Sequence, residues 1–322
     1  MIYTVTLNPA LDKTLVASGL APDMINRAEV VRLDPGGKGI NVSRALRNLG
    51  VQSVAMGFLG GATGQSLQES LQEIGLAADF CAVAGETRTN LTIHDRSRGA
   101  LVKLNEAGPT VTESDIAALA ARISARAQPG DWWVFSGNLP PGAPEDVYAR
   151  LIALVQRAGG RAVLDASGEP LLLGVAAAPY LVKPNLTEAE NLLGARLSEP
   201  QDYERALRAL LDMGSGLAVI SLGAEGALIA DGRETLWARP PRVPARSNIG
   251  AGDSLLAGLL WGMITGWSLA EMIRWAVAAG TAAVLEEGTG VCSFGKVQEL
   301  YPQITVHDLG AHKIVQDGEG KR

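Results

Sequence analysis

Cysteine and histidine are scarce in this chain of 322 residues, with only Cys81, Cys292, His94, His307 and His312. No CxxC pair occurs and the histidines have no ligand-type spacing. That argues against a disulfide scaffold and a zinc ribbon, and a reducing, cytoplasmic setting is expected. GxGxxG is absent, which argues against a nicotinamide dehydrogenase. GxxxxGK[ST] is absent as well, which removes a Walker-type nucleotide loop. Positive charge is not in excess: 28 Lys and Arg face 34 Asp and Glu, a net charge of -6. That balance gives no support for nucleic-acid or anionic-membrane binding, so an anionic ligand would need local positive charge. The most apolar stretch, Leu255 to Trp267, contains glycines and is too short to span a bilayer, so it reads as a buried helix. The opening MIYTVTLNPALD lacks a basic segment followed by an apolar one, so no signal peptide is expected. There is no internal repeat and no heptad array.

What remains is an apolar chain, 47% hydrophobic, with ample material for a large core. Strand-like and helix-like segments alternate, as in a parallel sheet covered by helices. Strands are expected at Ile2–Leu7, Ser53–Gly57, Asp131–Phe135, Ala162–Asp165, Tyr180–Lys183 and Ala218–Leu222. Helices are expected at Gly39–Leu49, Thr63–Ile74, Ser114–Ala127, Pro144–Arg157, Thr187–Leu193 and Tyr203–Met213, and helices dominate from Asp253 to Glu286. Asp12–Asp34 and Thr87–Asn105 break the rhythm with alternating patterns. They suit either a small β appendage or a pair of edge hairpins. The polar, glycine-rich tail from 310 to 322 is expected to be disordered.

Asn248-Ile249-Gly250-Ala251-Gly252-Asp253-Ser254 precedes an apolar helical run. Glycines there let the backbone approach a ligand, and the first-turn N–H groups with the helix dipole favour an anion. Asp253 at the helix start could accept a proton from an attacking hydroxyl, or it could simply cap the helix. Asp34 to Arg44 forms a glycine loop feeding a helix. Asn41 there supplies both a donor and an acceptor for sugar hydroxyls, and a tight turn is the plain alternative. In Lys183-Pro184-Asn185-Leu186-Thr187-Glu188, Asn185 and Glu188 offer oxygens suited to Mg²⁺, and the same pair suits a capping box. Ser136–Gly142 and Ser221–Gly226 each follow a strand, where open α/β sheets bind ligands.

PGGKGINVSRALRNLG at 35–50 and NIGAGDSLLAGLL at 248–260 resemble the two signature regions of the ribokinase-like PfkB carbohydrate kinases. TLNPALD at 6–12, SGNLPPG at 136–142, LVKPNLTE at 181–188 and SLGAEGA at 221–227 extend the resemblance to nearly the whole chain. Within that family TLNPALD, TRTNL at 87–91 and LNEAGP at 104–109 are most similar to the phosphosugar branch. That branch comprises 1-phosphofructokinase, tagatose-6-phosphate kinase and the minor 6-phosphofructokinase.

The resemblance implies an α/β fold, a three-layer sandwich around a mainly parallel sheet. Residues 1–11, 35–86 and 106–309 would form the body, and 12–34 and 87–105 a small β lid that pairs into a homodimer. It implies ATP and Mg²⁺ as cofactors, and K⁺ near Ser247 and Ile249, where some members bind a monovalent cation. Asp253 matches the catalytic base, and Gly250, Ala251 and Gly252 the anion hole. Asp12 and Asn41 match sugar-hydroxyl ligands, with Gly37 and Lys38 beside them and Ser136 on the substrate side. Arg88 and Arg27 match contacts to the phosphate already on the sugar, Arg27 reaching a neighbouring subunit. Lys183, Asn185 and Glu188 match the nucleotide and Mg²⁺ region, and Ser221, Gly223 and Gly226 the nucleotide phosphate and ribose region. Arginine grips a phosphate bidentately, so Arg27 and Arg88, with Lys38 and Lys103, would supply the local charge that the acidic whole lacks. They would otherwise be ordinary surface charges. The expected reaction is ATP-dependent phosphorylation of fructose 1-phosphate. The rivals are a 6-phosphofructokinase, a tagatose-6-phosphate kinase, a nucleoside or ribose kinase, and a sugar-phosphate sensor without turnover.

Overall fold

The computed structural model describes residues 1–286, 288 and 290–310; the expected tail beyond residue 310, with His312, lies outside the described residues. In chain order the strands are β1 (Ile2–Thr6), β2 (Ala10–Ala17), β3 (Ala28–Gly36), β4 (Val54–Leu59), β5 (Ala77–Ala82), β6 (Arg88–Asp95) and β7 (Ala100–Asn105). They continue with β8 (Trp132–Ser136), β9 (Arg161–Asp165), β10 (Leu181–Val182), β11 (Leu217–Ser221), β12 (Ala227–Ala230), β13 (Thr235–Arg239) and β14 (Thr305–Asp308). The helices are α1 (Lys38–Asn48), α2 (Gly61–Glu73), α3 (Glu113–Arg126), α4 (Val147–Arg157) and α5 (Glu169–Ala176). After them come α6 (Leu186–Leu193), α7 (Pro200–Asp212), α8 (Ala251–Thr265), α9 (Leu269–Val284) and α10 (Phe294–Leu300).

One sheet runs β14-β13-β12-β11-β10-β9-β8-β1-β4-β5. From β11 to β5 every neighbour is parallel, while β12, β13 and β14 add on antiparallel. Helices on both faces bury central parallel strands completely, and β1 (IYTVT) and β8 (WWVFS) are buried at every position, the threonines of β1 included. Helices cover both faces. Val42 and Leu46 of α1 pack with the apolar residues of α8 and α9 on one side. Ile116 and Leu119 of α3, Leu151 and Val155 of α4 and Leu207 of α7 form the core of the other. Helix α8 packs closely on α9 at Gly258, where a Cβ would stand 2.7 Å from the Ala276 Cα. The expected helical run from Asp253 is two helices: Gly266 takes a left-handed conformation and Ser268 caps α9 with Glu271 in a capping box. Helix α4 starts at Val147 rather than at Pro144, because a turn closed by Val147 N–H on the Pro144 carbonyl precedes it.

A second sheet, β3-β2-β6-β7, is built from the two irregular stretches. Strand β2 pairs antiparallel with β3 and parallel with β6, which aligns Asp34, Asp12 and Asn90 in one row. Val30, Val31, Leu33, Leu101, Val102 and Leu104 on its flanking strands are exposed.

Candidate active site

Parallel strands deliver their carboxyl ends to one edge, and Thr6, Ser136, Asp165 and Ser221 close β1, β8, β9 and β11 there. Lys183 follows β10. Helix α8 starts near this edge. Its N-cap is Gly250, at φ 79°, and a Cβ there would lie 2.8 Å from the Gly290 carbonyl oxygen. The N–H groups of Ala251, Gly252 and Asp253 belong to the first helical turn, which offers them no carbonyl.

Asp253 is buried and makes no capping bond; its carboxylate accepts from Asn41 Nδ2 at 2.9 Å. The plain capping reading of Asp253 is therefore not realised. Burial raises the Asp253 carboxyl to about 6, with the Asp165 charge adding to the rise, while the Asn41 bond and the charges of Lys38 and Lys183 oppose it. A carboxyl near that value is ionised at neutral pH and close enough to it to take up a proton.

Asp165, at the end of β9, was not among the residues expected from the sequence. It is 1% exposed and pairs with Lys38 Nζ at 2.8 Å and Lys183 Nζ at 3.0 Å. Burial works against its charge, but the two ammonium groups win and hold the carboxyl below its ordinary value. Lys38 shifts upward in return: burial opposes its charge and Asp165 more than offsets that. The only local signal of Asp165 is a lone acid closing an apolar strand. Beside it, the Oγ atoms of Thr6 and Ser136 are buried without hydrogen-bond partners, and a Cβ at Gly39 would stand 2.5 Å from Thr6 Oγ1 and 3.1 Å from Ser136 Oγ.

On the side of the second sheet, Asp12 accepts from Asn90 Nδ2 at 2.8 Å. Burial raises the Asp12 carboxyl; the Asn90 bond lowers it and the neighbouring Asp34 raises it further. Gly36 leaves room for that carboxylate, because a Cβ there would lie 2.2 Å from Asp12 Oδ2. The backbone N–H of Asn41 bonds to the Gly37 carbonyl oxygen at 2.9 Å, which starts α1 directly after β3. Arg88 begins β6 with its Nε buried and without a hydrogen-bond partner. Arg27 is exposed just before β3, and no hydrogen bond or ion pair joins it to these residues.

Asn185 and Glu188 form the capping box that their spacing allows. Asn185 Oδ1 accepts from the Glu188 N–H at 2.9 Å, and Glu188 Oε2 accepts from the Asn185 N–H at 2.8 Å. Glu188 Oε1 stays outside this pair. A bridge between Asn185 and Ser221 brings the β11 loop alongside. Gly223 is at φ 59° with open space beside it, whereas a Cβ at Gly226 would lie 2.0 Å from the Ala238 carbonyl oxygen, so Gly226 has a packing role. Ser247 Oγ donates to the Gly288 carbonyl oxygen at 2.6 Å and accepts from the Ile249 N–H at 3.2 Å. Among the described residues, no group of three or more His, Cys, Asp or Glu side chains is arranged to hold a metal. A donor set of Asn185 and Glu188 alone fits Mg²⁺, which keeps waters and shares substrate phosphates. A groove of about 440 Å³ between α2 and β5, lined by Gln65, Gln68, Gln72 and Phe80, contains none of these residues.

The profile of the pfkB family carbohydrate kinases matches residues 6–294. The 1-phosphofructokinase of Rhodobacter capsulatus is 36% identical over 309 residues, 96% of this chain and 98% of that protein. The ATP-dependent 6-phosphofructokinase isozyme 2 of Escherichia coli strain K12 is 34% identical over 306 residues, 94% of this chain and 99% of that protein. The crystal structure of phosphofructokinase-2 from Escherichia coli in complex with potassium superposes with a TM-score of 0.90 at 34% identity, covering 94% of this chain and 98% of that one. With a buried carboxylate at the start of α8, a lysine-flanked acid at the sheet edge and a match over nearly its full length, the chain belongs to the pfkB family of carbohydrate kinases.

Proposed function

We propose that the chain moves the γ-phosphoryl group of MgATP to the free primary hydroxyl of fructose 1-phosphate, giving fructose 1,6-bisphosphate. The observation that carries the chemistry is Asp253: a buried carboxylate in the first turn of α8, raised to about 6 and oriented by Asn41. It takes the hydroxyl proton as the new O–P bond forms and the bond from the γ-phosphorus to ADP breaks. The N–H groups at Gly250, Ala251 and Gly252 lie where they can hold charge on the transferring group. Asp12, Gly37, Lys38, Asn41 and Ser136 face the sugar, and Arg88 with Arg27 holds its phosphate. Lys183, Asn185, Ser221, Gly223 and Gly226 form the nucleotide side. Asn185 and the unused Glu188 oxygen would hold Mg²⁺, which supplies charge neutralisation on the phosphates. The Ser247–Ile249 loop would take K⁺. The exposed apolar residues of the lid suit pairing of two copies into a homodimer, and the buried free cysteines suit a cytoplasmic protein.

Lys38 is committed to Asp165, so the preference for fructose 1-phosphate rests on relatives such as the Rhodobacter protein. The Escherichia coli relative keeps 6-phosphofructokinase as the second reading. An ADP-release assay against fructose 1-phosphate, fructose 6-phosphate, tagatose 6-phosphate, fructose and ribose decides between them. A tenfold kcat/KM preference for fructose 1-phosphate, about 1.4 kcal/mol of transition-state binding, is expected. A preference for another phosphosugar would replace the substrate. Activity on unphosphorylated sugars alone would remove the phosphate-binding role of Arg27 and Arg88. Silence on all five would leave a sugar-phosphate sensor.

A further inference from the structure

Arg44 stands between the lid and the start of α1. It occupies the helix turn after Asn41, with its side chain 11% exposed. Its Nη1 donates to Asn41 Oδ1 at 3.1 Å and to the Pro35 carbonyl oxygen at 3.3 Å, and its Nη2 lies 3.6 Å from Asp34 Oδ1. Pro35 and the buried Asp34 both belong to β3, and Asp34 also pairs with Arg32 of the same strand. Asn41 in turn gives its Nδ2 to Asp253. An amide has one oxygen and one nitrogen end. While the guanidinium occupies the oxygen, only the nitrogen can face the carboxylate.

We propose that Arg44 is a positioning residue that anchors the lid strand to α1 and locks the Asn41 amide with its N–H toward Asp253. The inference rests on Asp253 being the base. An amide free to turn could present its oxygen to Asp253, and that end accepts only from a protonated carboxyl. Arg44 therefore favours the ionised, proton-accepting form. The other charged groups facing Asp253 are Asp165 from β9, Lys38 from α1 and Lys183 after β10. Both variants, Arg44→Met and Arg44→Lys, leave these three in place. Arg44→Met also removes the Arg44 charge that acts on Asp253, whereas Arg44→Lys keeps a cation there, so Arg44→Lys separates the amide lock from simple loss of charge.

The test is the pH profile of kcat at saturating MgATP and phosphosugar, measured for the wild type, Arg44→Met, Arg44→Lys and Asp253→Asn. Saturation is needed because a phosphate monoester itself titrates at about pH 6. Arg44→Met is expected to move the acid limb up by about one pH unit, the size of one hydrogen bond to a charged acceptor. kcat then falls about fivefold near pH 6 and changes little near pH 8.5. A merely structural role would lower kcat equally at all pH values. Arg44→Lys keeps a cation for Asp34 but lacks the fork that reaches Asp34 and Asn41 together, so it should fold and still show the raised limb. If Arg44→Met does not fold, Arg44→Lys decides alone. A folded Arg44 variant with the limb unmoved overturns the proposal and leaves the base assignment standing. An Asp253→Asn enzyme with near-normal turnover overturns both.

Discussion

Replacing Asp253 by Asn should make the protein more stable while abolishing its turnover. The Asp253 carboxyl rises from its ordinary 3.8 to about 6 in the folded chain, chiefly through burial. Between those two values the folded state holds a proton that the unfolded state has released. Stability therefore falls as pH rises through that window and stays lower above it. A gap of roughly two pH units corresponds to about 3 kcal/mol at neutral pH. The attractions of Lys38 and Lys183 for the carboxylate are already contained in that net figure. Asn is close to Asp in shape and can still accept the Asn41 N–H, so the substitution removes the charge without opening a cavity. Thermal unfolding at pH 7.5 should show Asp253→Asn melting about 4 °C above the wild type for a chain of this length. Urea titrations should show the difference shrinking from pH 6 towards pH 4.5 as the wild-type carboxyl protonates. Turnover should drop by several orders of magnitude with ATP binding kept. If Asp253→Asn were no more stable than the wild type at pH 7.5, the carboxylate would not be under the desolvation that makes it a competent base.

Two further substitutions test neighbouring parts of the site. Lys183→Met leaves the buried Asp165 with Lys38, whose side chain is 36% exposed, and should cost about 3 kcal/mol or more in urea unfolding. The Asp165 carboxyl lies below its ordinary value when folded, so its stabilisation is lost as pH falls, and the variant should unfold at a higher pH in an acid titration. Gly36→Ala would drive a methyl group within 2.2 Å of Asp12 Oδ2. It should raise the KM for the sugar while leaving the KM for ATP close to the wild-type value.

The elements visible in the sequence are those whose partners are local. Asn185 and Glu188 sit three residues apart, and the capping box they suggest is the one that forms. Strands β1 and β8 are buried at every position, and their β-branched and aromatic content marks them as strands even though Thr4, Thr6 and Ser136 interrupt the apolar run. Strand β5, AADFCA, sits at the sheet edge and carries little of the β-branched signal that marks a strand. Helix α5, EPLLLGVA, has eight residues and too short a period to announce itself. The short antiparallel strands β12, β13 and β14 are equally silent, because four or five residues such as ALIA or TVHD carry no periodicity that separates them from a loop.

The catalytic reading depends on contacts of the opposite kind. From the sequence, Asp253 suits a helix cap as well as a base. What separates the two is the amide of Asn41, 212 positions away, together with burial by elements that no local window contains. Asp165 is plainer still: Lys38 lies 127 positions before it, and nothing around Ala162–Asp165 signals an ion pair. A parallel sheet explains both cases. Each strand needs a crossover before the next, so residues that meet at the carboxyl edge are separated by whole helices in the chain. Local patterns can therefore name the glycine loops and strand ends that reach the edge. Which carboxylate there is buried, and which cation holds it, follows only from the order in which β1, β8, β9, β10 and β11 are laid side by side.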